Sequence, residues 1–490
     1  MNYTDAIAAH AAQTPNVPAI IEGERILSFG ELEHLIRKTA SYLRSLGLSE
    51  GDHVGIALKD SAPHLVNLFS IARIGAIAVP VDWRAQPGEK LRLAKALDLS
   101  LVLTEPNDVD WATDHICVDD TWDRAVATTV IDRSFPHAGG MPCVINVTSG
   151  TTGPPRGVIV THDQIVARFL NWWLNLGFGR GERFLSASPL CFAAGRERCI
   201  AQIIGGNTVI LYPPLFTADE FVAAVEKFRA TVVFLVPTVF RWLLQLPDQE
   251  RGKLADLKYL ITGGAAMYGK EKRDVLQQLC PNFYQSYGAS GYSIICCLRP
   301  SEIADHGNSV GRPSFGTEVE IVDEYHAAVP AGESGRLRCR GAGMALGFYG
   351  SAADAGGHEA FHDGWYYPGE LARIDEEGFV YLLGRIASVV VRGGINIYPE
   401  EIEHILLLHP AVLEAAVVPM PSTQYGEEIC AFIVLRDQHE MSGLTSHCRR
   451  HLSPHKVPAR FESVEALPKT TSGKVRKSEL EAAVASNDQS

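Results

Sequence analysis

The chain has 490 residues and a mass of 53.4 kDa, too long for a single compact core, so two or more domains are expected. Hydrophobic residues make up 46% and charged residues 21%, which excludes wholesale disorder. The formal net charge of -13, from 44 basic and 57 acidic side chains, excludes a general affinity for nucleic acid or an anionic membrane, so any polyphosphate site has to be local.

The opening stretch MNYTDAIAAHAAQ has neither a basic segment ahead of an apolar core nor a span long enough to cross a bilayer, which predicts a cytoplasmic protein. The ten cysteines contain no C-x-x-C pair and read as buried thiols in a reducing compartment. Cys143, Val144 and Ile145 read as a strand, followed by the loop NVTSGTTGPPRGV. Ser149, Gly150, Thr151, Thr152 and Gly153 cannot fill a core, but they can turn backbone N–H groups and hydroxyls around an anion. The loop is not a Walker A motif, because Gly150 lacks Gly-Lys-Ser/Thr at the required spacing. Taken alone, it is either a phosphate cradle or a set of tight turns.

From about residue 184, short β-rich runs (RFLSASPL, NTVILY, ATVVFLVP, LKYLITGG, NFYQSYG) alternate with helical stretches such as AAGRERCIAQIIGG and MYGKEKRDVLQQL. That alternation predicts right-handed crossovers and a doubly wound, mostly parallel sheet. Pro237, Gly263-Gly264 and Gly288 fall just past strand ends, where ligands bind in open α/β sheets. If the strand before Ser149 shares that sheet, all these loops line one crevice. After about residue 384, a short strand, a Gly turn, a helix with Ile402, Ile405 and Leu406 on one face, and another strand form a second segment. His447, Cys448, His451 and His455 could suggest zinc, but Pro454 interrupts any helix that would align them, so no metal site is assigned.

The ordered blocks TSGTTGPPRGV, ITGGAAM, YQSYGASG, WYYPGELARIDEEGFVYLLGR and PKTTSGKVRK resemble those of the adenylate-forming superfamily: acyl-CoA and aryl-CoA synthetases, peptide-synthetase adenylation domains and beetle luciferases. The resemblance covers nearly the whole chain. It implies a large N-terminal α/β domain (1–384) with doubly wound, mostly parallel sheets, which binds ATP and the acid. A small, mobile α+β C-terminal domain (385–490) would follow.

Residue by residue, the resemblance implies that Thr148 to Gly153 embrace the β- and γ-phosphates, with Arg156 where the family usually has lysine. Gly263, Gly264 and Ala265 would lie along the adenine. In the next block, Gln285 would meet the adenine amine, Tyr287 would stack on the base and Ser290 would bring a hydroxyl to the α-phosphate, with Ser286 and Gly288 beside them. Glu370 stands where the family has aspartate and, with Arg385, would hold the ribose. Gly291 stands where the family has a magnesium-binding glutamate, and Ala387 where its hinge has Asp or Lys. Lys474 would reach between the substrate carboxylate and the α-phosphate, where charge builds as the bond forms. Gly393 and Gly394 would meet the thiol acceptor.

For the acid, the resemblance points to Trp172, Trp173, the Phe192, Ala193 and Gly195 stretch, Gly263-Gly264 and Ala289, which suggests an apolar acid such as an aryl or medium acyl carboxylate. Arg196, Glu197 and Arg198 either select a polar substrate or form a solvated face. The implied reaction makes an acyl-adenylate from ATP, with Mg²⁺, and passes the acyl group to CoA. Transfer to a carrier-protein pantetheine or an amine is the alternative. A catalytically impaired nucleotide-binding scaffold, motivated by Gly291 and Glu370, is the third reading. Neither the acid nor the oligomeric state is encoded in these residues.

Overall fold

The computed structural model describes the chain apart from residues 109–110, 112, 133–138, 149–155, 215, 351–356, 437–440, 470–474 and 488–490. It divides into two compact units, Met1–Val319 with Cys339–Tyr366, and Glu320–Arg338 with Tyr367–Ser490. The larger unit is α/β and the smaller is α+β. Position 384/385, the domain division of the sequence reading, lies inside the second unit.

The larger unit contains two sheets rather than one. In the nine-stranded sheet, Pro18–Glu22, Thr208–Leu211, Arg183–Ser186, Val232–Leu235, Tyr259–Thr262 and Phe283–Ala289 run parallel in that spatial order. The Ser293–Leu298 strand follows antiparallel, with Arg312–Pro313 antiparallel outside it. In the seven-stranded sheet, His115–Cys117, Leu101–Thr104, His53–Ala57, Ile77–Pro80 and Pro142–Thr148 run parallel, and Arg156–Thr161 returns antiparallel to the last of them. The expectation of a mostly parallel, doubly wound arrangement therefore holds. The condition that the strand before Ser149 shares that sheet is not met: Pro142–Thr148 belongs to the seven-stranded sheet, paired with Arg156–Thr161. Strand order depends on distant pairing, which a local apolar run does not encode.

Both sheets press on one core. The helix Ala62–Arg73 is buried at every residue except Pro63, as expected of a helix with apolar groups on all sides. Its Leu65 and Phe69 share a core with Val54, Ile56 and Val144 of the seven-stranded sheet and Val209 of the nine-stranded one. Its polar residues are accommodated locally. Arg73 reaches Glu33 at 2.8 Å and Thr4 at 2.6 Å, and burial lowers the His64 imidazole to about 4. No helix among the described residues is long and apolar enough to cross a membrane.

In the second unit the strands Val412–Ser422 and Gly426–Leu435 form a long antiparallel hairpin. Its alternation assigns each face a helix: Val417 packs with Ile402 and Leu406 of Pro399–Leu407, while Ala416 and Val418 pack with Leu480 and Val484 of Lys477–Asn487.

Gly157, just inside the returning strand of the Ser/Thr/Gly hairpin, has no room for a side chain. A Cβ there would lie 2.4 Å from Ile145 Cγ2 and 2.9 Å from Leu97 Cδ2. Gly157→Ala is expected to destabilise the protein by about 1–3 kcal/mol, the usual cost of overpacking, read as a lower urea midpoint. An unchanged midpoint would show that the hairpin is loosely packed.

Candidate functional site

Two of the nucleotide blocks are brought side by side by strand register. Thr262 pairs with Gln285 in parallel strands, so Gly263-Gly264 and Gln285–Gly288 emerge at adjacent carboxyl ends. Gly263 packs directly on its neighbour, since a Cβ would meet Ser286 O at 2.6 Å, and Gly264 takes φ +83°. Only glycine gives both the close approach and the left-handed turn. Ser286 donates from Oγ to the Thr262 carbonyl at 3.1 Å. Gln285 is buried, and its Oε1 has no hydrogen-bond partner, a buried acceptor open to an amine donor. Tyr287 is half-buried and Ala265 is exposed. Gly288 sits against Ser293, and Ala289 and Ser290 lie at the turn that follows.

Residues Ser149, Gly150, Thr151, Thr152 and Gly153 lie outside the described residues, as does Lys474. The hairpin that carries the loop is described: Thr148 pairs with Arg156 across it. Arg156 therefore belongs to the base of the returning strand, where its guanidinium lies 5.6 Å from the Phe348 ring centroid.

Gly291 is hemmed in. A Cβ there would meet the Tyr366 ring at 2.5 Å and Phe361 at 3.0 Å, and these two rings pack on each other at 4.8 Å. Aromatic side chains thus fill the space that a glutamate would need. Among the described residues no group of three His, Cys, Asp or Glu side chains could hold a metal ion. A magnesium ion arriving with a nucleotide would lean on the phosphates and water rather than on a carboxylate at 291.

A buried polar network lies beneath this site, and the sequence reading missed it. Arg168 donates to Glu197 at 2.5 Å, to the Gly343 carbonyl at 2.9 Å and to the Ser290 carbonyl at 3.5 Å. Asn146 donates to Glu197 at 3.2 Å and accepts from Arg196, which also donates to the carbonyls of Leu190 and Cys191. Arg196 is 1% exposed and Glu197 9%, so the solvated-face reading fails for both. The overlooked signal was spacing: Arg168 falls on the same helical stripe as Ile165, Trp172 and Leu176, all buried.

The positions read as acid-binding separate. Trp172 is buried, with the Arg198 guanidinium 4.9 Å from its ring centroid. Trp173 packs instead on Phe169 and Phe178, and a Cβ on Gly205 would strike its ring at 2.2 Å, so it fills the core beside that glycine. Phe192 caps the start of the helix Ala193–Ile204, and Gly195 lets that helix approach the Pro189 carbonyl.

In the second unit Glu370 and Arg385 face each other across paired strands and form an ion pair at 3.1 Å. Glu370 is nearly buried and Arg385 is exposed. Ala387 is exposed in the short turn Ile386–Ser388 that follows. Gly393 and Gly394, at φ +58° and +84°, form the two-residue turn of the hairpin Val390–Arg392 and Ile395–Ile397. Glu400 packs against Gly384, and burial pushes its carboxyl up from the usual range despite the opposing charge of Lys477. The flanks of 470–474 are fixed: Lys469 and Val475 form a β-bridge, Lys469 pairs with Glu414 at 2.7 Å and Lys477 with Glu403 at 2.7 Å. His447 spends its Nε2 on the Ile405 carbonyl at 2.8 Å.

Comparison with known proteins matches residues 7–349 to the AMP-binding enzyme family model and 401–474 to the AMP-binding enzyme C-terminal domain. A feruloyl-CoA synthase from Amycolatopsis sp is 28% identical, with 96% of each chain covered. A 2-succinylbenzoate–CoA ligase from Bacillus velezensis is 30% identical, also over 96% of each chain. Among solved structures, the o-succinylbenzoate CoA synthetase of Bacillus subtilis, in complex with its acyl-adenylate intermediate, superposes with a TM-score of 0.88 at 25% identity, covering 97% of each chain.

The packing around Gly291 is directly testable. Gly291→Glu is expected to destabilise the protein by about 1–3 kcal/mol through collision with Tyr366, seen as a lower urea midpoint. A variant as stable as the parent would show that the ring yields.

Proposed function

Because the chain belongs to the AMP-binding enzyme family, we propose that it is an AMP-forming acid–thiol ligase that activates a carboxylic acid with ATP and Mg²⁺ and delivers it to CoA. The observation that carries this reading is the register Thr262↔Gln285, which aligns the Gly263-Gly264 turn with Gln285–Gly288 at neighbouring strand ends.

Carboxylates are poor electrophiles and need a leaving group before a thiol can attack. The carboxylate oxygen attacks the α-phosphorus of ATP, breaking the bond to the β-phosphate oxygen and releasing pyrophosphate. The CoA thiol then attacks the acyl carbon, and AMP departs as the thioester forms. Both steps depend on positioning and charge neutralisation and require no side-chain nucleophile. In our reading Gln285 accepts from the adenine amine, Tyr287 stacks on the base, and Glu370, oriented by Arg385, accepts from the ribose hydroxyls. The loop 148–153 and Arg156 take the phosphates, and Ser290 approaches the α-phosphate. Lys474 bridges the carboxylate and the α-phosphate in the first step. A backbone rotation near Ala387 between residues 1–384 and 385–490 then exchanges it for the Gly393-Gly394 turn. Nine of the ten cysteines are buried, which supports a reducing, cytoplasmic setting.

The test is acid-dependent pyrophosphate release over a panel of carboxylic acids, with CoA, hydroxylamine and amino acids offered as acceptors. Thioester formation with CoA is expected to outpace amide or hydroxamate formation, and faster transfer to amines would replace the thiol acceptor with an amine. Lys474→Ala is expected to lower acid-dependent release by about 10²–10³-fold, the usual cost of removing one group that stabilises developing charge. ATP affinity should change little. Release that persists unchanged in that variant would remove the lysine from the mechanism.

A further inference from the structure

Arg198 has a setting unlike that of the other arginines around the site. Its guanidinium carbon lies 3.3 Å from the Phe234 ring centroid and 4.9 Å from that of Trp172. It donates to the carbonyl of Ala194, one turn back on its own helix, and its Nε has no hydrogen-bond partner. The adjacent carboxylate, Glu197, is already held by Arg168 at 2.5 Å and Asn146 at 3.2 Å. Burial pulls the Arg198 guanidinium down to about 9, with Glu197 opposing the change, so it remains a cation at neutral pH.

Its surroundings are the positions read as facing the acid. Trp172 is one of them, and Ala194 lies within the Phe192–Gly195 stretch. Phe234 borders a third, since a Cβ on Gly263 would sit 3.3 Å from its ring. Ring contacts occupy the faces of a guanidinium and leave its in-plane N–H groups, the edge that binds carboxylates in a fork. Arg198 is half-buried, and its cation–π contacts offset only part of the cost of withdrawing its charge from water, so an anion at the open edge would be favoured.

We propose that Arg198 selects a second anionic group on the acid, so that the substrate carries a further carboxylate or sulfonate besides the carboxylate that is activated. This rests on the adenylation reading above and, for Arg198, takes the polar-substrate alternative of the sequence reading over the apolar acid. The carboxylate to be activated goes to the nucleotide; the distal anion goes to the edge of Arg198, between the two rings.

The experiment compares size-matched pairs: glutarate with pentanoate, isophthalate with benzoate, and sulfoacetate with propanoate. Pyrophosphate release is measured for the parent, Arg198→Met and Arg198→Lys. In the parent at least one dianionic acid is expected to exceed its monoanionic partner in kcat/KM by about 10- to 100-fold, the range of a charged hydrogen bond. Arg198→Met should abolish that preference, mainly through KM, while turnover of the monoanionic acids is kept, and Arg198→Lys should restore part of it. A parent that favours the monoanionic acid in every pair, or a preference unchanged in Arg198→Met, overturns the inference and leaves adenylation standing. No release with any acid overturns adenylation instead. Quenching of tryptophan fluorescence by the same acids then decides the role of Arg198 separately: saturable binding of a dianion that is lost in Arg198→Met supports it, and no such binding overturns it. Should Arg198→Met fail to fold, Arg198→Gln gives the same readouts.

Discussion

The larger unit depends on one buried polar cluster that spans its two sheets. Asn146 lies on the strand leading into the Ser/Thr/Gly loop, in the seven-stranded sheet. Arg168 reaches the carbonyl of Ser290, at the turn closing the edge of the nine-stranded sheet. Glu197 joins them, and Arg196 ties Asn146 to the Leu190–Cys191 backbone. Two arginines and one glutamate in a largely dry setting are costly to assemble. Removing a single member is worse, because it strands the charge of its partner, at roughly 3–5 kcal/mol. The cluster therefore specifies the relation between two loops that hydrophobic packing alone would leave free to slide.

The glycines of the site act in the same geometry at shorter range. At Gly263 and Gly288 neighbouring backbones approach so closely that any side chain would strike a carbonyl oxygen. Gly291 differs, because its obstacle is the Tyr366 ring and not the backbone. The space beside Gly291 is used for aromatic packing, with Tyr366 and Phe361 packed against it, so no longer side chain fits there without displacing a ring.

Much of this was legible in the sequence, and the limits were physical. The parallel strands could be read because each is a short apolar run stopped by glycine or proline, and the helix Pro399–Leu407 because Ile402 and Leu406 recur at helical spacing. The motif positions place Glu370 and Arg385 only on a common ribose; that they face each other as an ion pair comes from strand pairing. The division into two sheets could not be read, since it depends on which distant strands meet. Nor could the burial of Arg196. A run of Arg-Glu-Arg is normally a solvated face, and the carbonyls of Leu190 and Cys191 together with the Asn146 side chain make a dry guanidinium tolerable there. Trp172 and Trp173 show the same limit at one-residue resolution: adjacent on a helix, they point to different surroundings, one toward a cation and the other toward a glycine.

In the second unit, charge is distributed by the same logic of partnership. On either side of residues 470–474, Lys469 pairs with Glu414, Arg476 with Glu479, and Lys477 with Glu403 and Glu400. Burial works against the charge on Lys477, but Glu403 and then Glu400 outweigh it and hold its ammonium above the ordinary lysine range. These pairs join Lys469 to the strand Val412–Ser422 and Lys477 to the helix Pro399–Leu407, both part of the unit's core. The helix in turn packs, through Glu400, against Gly384 at the end of the strand that carries Arg385. The flanks Lys469 and Lys477 and the strand end that carries Arg385 are thus held by one ion-paired frame, built on the helix Pro399–Leu407 and the strand Val412–Ser422.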